Sequence, residues 1–103
     1  MYEIAYITAG SRSEAKKIAR TLLEEKLIAC ANIFDVESLY WWRGAIEQGA
    51  ESILVCKTTA GKRRRLMAVV RRIHSYENPC VVFFKITAGS DPFLNWVRDS
   101  TKN

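Results

Sequence analysis

Histidine and paired cysteines are scarce in this chain of 103 residues, and each scarcity removes a class of protein. There is a single histidine, His74, so one chain cannot build a site from several imidazoles. The three cysteines, Cys30, Cys56 and Cys80, are odd in number and show no C-x-x-C spacing, which excludes a disulfide framework and a zinc ribbon. No apolar run approaches the ~20 residues of a membrane-spanning helix. The start, Met1-Tyr-Glu-Ile-Ala-Tyr-Ile, has neither a basic leader nor a small-residue cleavage site. A cytoplasmic protein with no membrane partner is therefore expected. GxSxG, HExxH and the phosphate-loop glycine pattern are all missing, which argues against the common hydrolytic and nucleotide-cleaving enzymes.

What is present is an ordinary globular balance, with 49% apolar and 26% charged residues, enough to bury a core. No repeat, low-complexity tract or linker divides the chain, so residues 1–103 read as a single domain. The net charge of +5 invites an anionic partner, although charge bears on association and not on fold.

Tyr2 to Thr8 reads as a short apolar strand, broken by Ala9-Gly10-Ser11. Ser11 and Glu14 have the spacing of a capping box, and Ala15, Ile18, Ala19, Leu22 and Leu23 then recur at helical spacing. From Leu27 the pattern changes to a continuous apolar run and an extended stretch ending at Tyr40-Trp41-Trp42. Arg43-Gly44 is the favoured turn, with Gly49 allowing a longer connection, and Glu51 to Thr59 is the returning strand. Thr58 or Thr59 can cap a second helix whose apolar stripe is Leu66, Val69, Val70 and Ile73. Asn78-Pro79 ends the connection, and Cys80 to Ile86 is a buried strand. Asp91-Pro92 then opens a short C-terminal helix carrying Leu94 and Val97. Cys56 and Cys80, lying among Leu54, Val55, Val81 and Val82, read as core.

The order is β-α-β-β-α-β plus a terminal helix, an α+β, ferredoxin-like arrangement with an antiparallel sheet. Two helices cover one face of such a sheet. The other is left bare, with aromatics that a monomer does not normally expose in a large patch.

Five segments together resemble the CutA family of divalent-cation tolerance proteins. They are Glu25-Lys-Leu-Ile-Ala-Cys-Ala-Asn-Ile33, Ser38-Leu-Tyr-Trp-Trp-Arg-Gly-Ala-Ile-Glu47, Ile53-Leu-Val-Cys-Lys-Thr58, His74-Ser-Tyr-Glu-Asn-Pro79 and Phe93-Leu-Asn-Trp-Val97. The resemblance covers nearly the whole chain and implies a homotrimer in which each long β2–β3 hairpin extends a neighbour's sheet. It further implies a cytoplasmic, non-catalytic protein linked to copper and other divalent metal ions, with a ligand cleft between subunits like that of the PII-type signalling proteins. Two departures stand out. Ser75 replaces the proline that usually follows the histidine, implying a looser loop, and the hairpin tip Trp41-Trp42-Arg43-Gly44-Ala45 carries less positive charge than usual.

Cys30 matches the family's motif cysteine, and a thiolate with an imidazole suits copper or zinc, so Cys30 and His74 are the candidate metal ligands. On residue physics alone core packing, as a small hydrophobe, is the better explanation of Cys30. With a turn at Arg43-Gly44 and no bulge, Cys30 faces Lys57. His74 falls about 80° round the helix from Leu66, at the edge of the stripe, and is expected to be partly exposed. Tyr76-Glu77 matches the family's cleft loop, and with Trp42, Lys57 and His74 it forms a candidate ligand cleft; alternatively Tyr76 packs under the loop and Glu77 pairs with an arginine.

Lys62, Arg63, Arg64 and Arg65 crowd the first turn of the second helix, where the macrodipole disfavours cations. A bound anion would explain that placement. An RNA-recognition domain shares the element order, but Ser52-Ile-Leu-Val-Cys-Lys57 lacks its stacking aromatics, so nucleic acid is an improbable partner. A catalytic Cys30–His74 pair would need an exposed, electropositive thiol, which an apolar strand does not offer. Three readings remain: a metal-tolerance trimer, a PII-like trimer binding a small ligand or anion, and, least supported, a basic RNA binder.

Overall fold

Alternation along the first strand decides which way the sheet faces. The computed structural model describes all 103 residues. In β1 (Tyr2–Ala9), Glu3, Ala5, Ile7 and Ala9 are buried, while the intervening residues stay partly open. That buried row meets α1 (Arg12–Glu24) through Ala15, Ile18 and Leu22, and α2 (Arg63–Ile73) through Leu66, Val69 and Val70. Both helices therefore close one face, as the helical spacing of these residues predicts.

The remaining strands are β2 (Cys30–Trp42), β3 (Ala45–Thr59) and β4 (Val81–Lys85), with α3 (Asp91–Ser100) closing the chain. The four strands form one antiparallel sheet in the order β2-β3-β1-β4. Helix α3 packs on β1 and β3. Its buried Val97 and the buried Ile53 lie outside the first core, and the register puts Ile53 on the second face. That face is only part covered: Phe34, Val82 and Phe84 remain exposed there.

The ends of the helices show how local chemistry is spent. Ser11 accepts from the Glu14 backbone N–H at 3.1 Å, but the Glu14 carboxylate bonds to Gly10 rather than back to Ser11. Helix α1 ends in a Schellman motif, with Leu27 N–H to Leu22 C=O at 2.9 Å and Lys26 N–H to Leu23 C=O at 3.1 Å. This puts Lys26 at φ 61°, a position that glycine usually takes. Neither expected threonine caps α2: a 3-10 turn at Ala60–Lys62 intervenes, Thr59 makes no side-chain cap, and Thr58 donates instead to the Leu27 carbonyl at 2.6 Å. Helix α3 begins one residue earlier than read, with Ser90 at the N-cap and Asp91 inside the first turn.

Strands β2 and β3 pair without a bulge from Cys30↔Lys57 to Trp42↔Ala45. The turn is Arg43-Gly44, and its φ values of 50° and 81° are those of a type I′ turn. Strand β1 supports β3 only as far as Ser52, opposite Ala9. Beyond it the hairpin projects as a two-stranded ribbon, and such ribbons are marginal in water by themselves. Leu39, Trp41 and Ile46 on it are 68%, 72% and 63% exposed.

Candidate functional site

The loop after α2 is fastened by a histidine that has left the helix. His74 is the C-cap of α2 with extended backbone (φ −76°, ψ 144°), so the helical wheel does not describe where its ring goes. The ring turns inward and its side chain is fully buried, correcting the expectation of partial exposure. Nε2 lies 2.7 Å from the Thr8 carbonyl, which can only accept, so Nε2 carries the proton and Nδ1 accepts the Tyr76 N–H at 3.0 Å. Both ring nitrogens are thus committed to backbone.

Glu14 completes the fastening. Its Oε1 accepts from Gly10 N–H and Ser75 Oγ, each at 2.9 Å, and its Oε2 accepts from Ser75 N–H at 2.7 Å. Burial works to raise the Glu14 pKa, but these hydrogen bonds outweigh it and hold the carboxyl below its ordinary 4.5. Ser75 fastens the loop to Glu14 with an N–H and a hydroxyl, where proline would offer neither. Tyr76 then lies against Gly10, where a Cβ would come within 3.2 Å of the Tyr76 ring.

Between this loop and the β2 side of the ribbon, from Ser38 to Trp42, is a cleft of about 520 Å³. Trp42, Tyr76 and Glu77 line it, as expected, together with Tyr40, Glu51 and Cys80; His74 does not. The Tyr76 hydroxyl donates to Glu51 Oε2 at 2.6 Å, and burial followed by this bond raises the phenol above its ordinary pKa. Arg43 at the turn lies 3.8 Å from Glu77 and stacks 5.3 Å from the Trp42 ring centroid. Lys57 is not part of the cleft: it faces Cys30 at the other end of the ladder and donates to Asn32. Cys80 is exposed at the cleft and not core, because Asn78-Pro79 delays the strand until Val81. Cys56 is core as read, and burial, with the charge of Cys30 adding to it, pushes its thiol up to about 12.

Cys30 and His74 are not brought together within one chain. Cys30 is half-buried and shares the face of Lys57 and Ile4, whereas His74 bonds to the backbone carbonyl of Thr8, near the other end of β1. Ile4 and Thr8 are about 13 Å apart along β1 at ~3.3 Å per residue. No three histidine, cysteine or carboxylate side chains converge elsewhere as a metal-binding group.

The basic run divides. Arg63 donates to both oxygens of Glu3, through Nε at 2.6 Å on one of them, and Glu3 is only 1% exposed. Arg63 holds that carboxyl below its ordinary range. Arg65 pairs with Glu25, which Arg72 also reaches. Two of the cations that suggested a bound anion are thus answered by the chain's own carboxylates, leaving Lys62 and Arg64 on the surface without such partners.

With this geometry in place, comparison with known proteins is specific. Residues 3–100 match the family model described as CutA1 divalent ion tolerance protein. The divalent-cation tolerance protein CutA of Archaeoglobus fulgidus is 40% identical over 102 residues, covering 99% of this chain and 100% of that one. That of Thermotoga maritima is 38% identical over 97 residues, covering 94% and 96%. Among solved structures, the periplasmic divalent cation tolerance protein CutA from Archaeoglobus fulgidus superposes with a TM-score of 0.97 over 99% of this chain and 100% of that one, at 40% identity. The divalent cation tolerance protein from Thermus thermophilus gives 0.95 over 99% and 100%, at 36% identity.

Proposed function

This chain belongs to the CutA1 family of divalent ion tolerance proteins, and from that premise we propose that it serves divalent-cation tolerance as a non-catalytic, cytoplasmic homotrimer that takes up copper or a similar ion. The observation that carries this reading is the unsupported ribbon. Its exposed Leu39, Trp41 and Ile46 would cost solubility in a monomer, and the half-open sheet face with Phe34, Val82 and Phe84 offers the surface that a neighbour's ribbon would cover. Three free cysteines suit a reducing compartment.

Because His74 stands apart from Cys30 and has both ring nitrogens committed to backbone, copper would be held without it, by Cys30 as the soft donor together with groups of other copies. A second reading, a PII-like regulatory trimer with a small ligand, is favoured by the cleft of about 520 Å³ beside Trp42, Tyr76 and Glu77.

Native mass spectrometry of the reduced protein, with and without copper, tests assembly and metal together. A trimer carrying a defined number of ions is expected, with uptake lost in Cys30→Ser and kept in His74→Gln. A trimer that gains no copper defeats the metal reading, and a monomer defeats the assembly.

A further inference from the structure

The cleft is built for a positive charge, against the character of the chain. Lysine and arginine number 16 in the sequence, yet none of the 11 residues lining the cleft is either of them. The lining instead contains two carboxylates, Glu51 and Glu77, and the aromatic residues Tyr40, Trp42 and Tyr76, with Glu51 on the same face of the ribbon as Tyr40 and Trp42. An anion entering would meet like charge from both carboxylates. A hard divalent ion would want several converging oxygen ligands, and no group of three metal-binding side chains forms. Aromatic faces beside carboxylates suit a weakly hydrated organic cation, which gains from ring quadrupoles and from charge together.

The chain already displays one such cation at the rim. The Arg43 guanidinium stacks on Trp42 with 5.3 Å to the ring centroid and lies 3.8 Å from Glu77. It is held loosely, since both Arg43 and Glu77 are about three-quarters exposed. The Tyr76 hydroxyl is turned to Glu51, and Gly10 lets the Tyr76 ring sit close, so that the cleft wall is fixed while its rim cation is free to move.

We propose that this cleft binds a small organic cation bearing a quaternary ammonium or guanidinium group, and that Arg43 competes with it for Trp42 and Glu77. The inference rests on the reading of the cleft as a ligand site, and goes beyond it by naming the ligand's charge and chemistry.

The test is a tryptophan-fluorescence titration of intact reduced protein with choline and with 3,3-dimethyl-1-butanol, its uncharged isostere. Saturable choline binding is expected, with the isostere at least about tenfold weaker. Glu77→Gln should weaken choline several-fold. Arg43→Asn, which keeps a residue suited to the turn, should tighten it. Trp42→Phe should remove most of the signal change. Equal binding of the two probes would overturn the charge assignment while keeping the cleft as a ligand site. Failure of both probes on protein whose native mass is intact would overturn the inference and the cleft reading, leaving the assembly untouched. Choline binding that Arg43→Asn leaves unchanged would overturn the competition.

Discussion

Single residues here answer to partners far along the chain. Glu3 is a buried carboxylate on the helix face of β1, compensated chiefly by Arg63, sixty positions away, with smaller attraction from Lys85 and the N-terminal amine. Its hydrogen bond from Arg63 holds its pKa below 4.5, so the unfolded chain binds the proton more readily. The pair's stabilisation is therefore complete above pH 4.5 and is lost as pH falls through the lower, folded value. Melting curves between about pH 2.5 and 6 should show this acid loss, and Glu3→Gln should flatten it. Arg63→Ala should lower the melting temperature clearly, whereas Arg64→Ala, without a partner, should stay within about 0.5 kcal/mol of wild type. The crowding of cations at the start of α2 is visible in the sequence, but not the carboxylate that answers it, because contact between residues so far apart is set by topology.

Elements were legible where their signals are local. The capping serine, the apolar stripes of α1 and α2, and the Arg43-Gly44 turn all appear where spacing and turn chemistry put them. The turn then fixes the register, and with it the pairing of Cys30 with Lys57. Misreadings cluster at element ends. His74 leaves its helix, Thr58 reaches sideways to Leu27, and Cys80 sits before its strand, so periodicity carries no information about any of them. The end of α1 supplies a direct test. Lys26 takes a left-handed conformation that costs a side-chain-bearing residue about 1 kcal/mol. Lys26→Gly should raise the urea midpoint, with the gain held below that figure by glycine's greater freedom in the unfolded chain. A lowered midpoint would mean that the lysine stem contributes packing.

At the scale of the whole molecule, the sheet, helices and ribbon give a chain measuring 44 × 26 × 21 Å, the long dimension exceeding what 103 residues need in a sphere. Part of the candidate site was readable from the Trp42 and Tyr76-Glu77 motifs. Glu51 and Cys80 join it through folding alone. If the ribbon is covered by a neighbour, Ile46→Lys should shift size-exclusion profiles with light scattering toward smaller species as protein is diluted, while circular dichroism of the sheet persists. An unchanged mass at every concentration would place Ile46 outside the contact. The position of β1 carries a separate consequence for synthesis. It precedes β3 and β4 in the chain but lies between them in the sheet, pairing with Thr59 and Lys85. Both of its backbone edges therefore wait, open, until much of the chain has emerged. The β2–β3 hairpin can zip early from its own turn, whereas β1 is enclosed only when β4 has been made, and translation speed between β3 and β4 sets how long its second edge stays exposed to wrong partners.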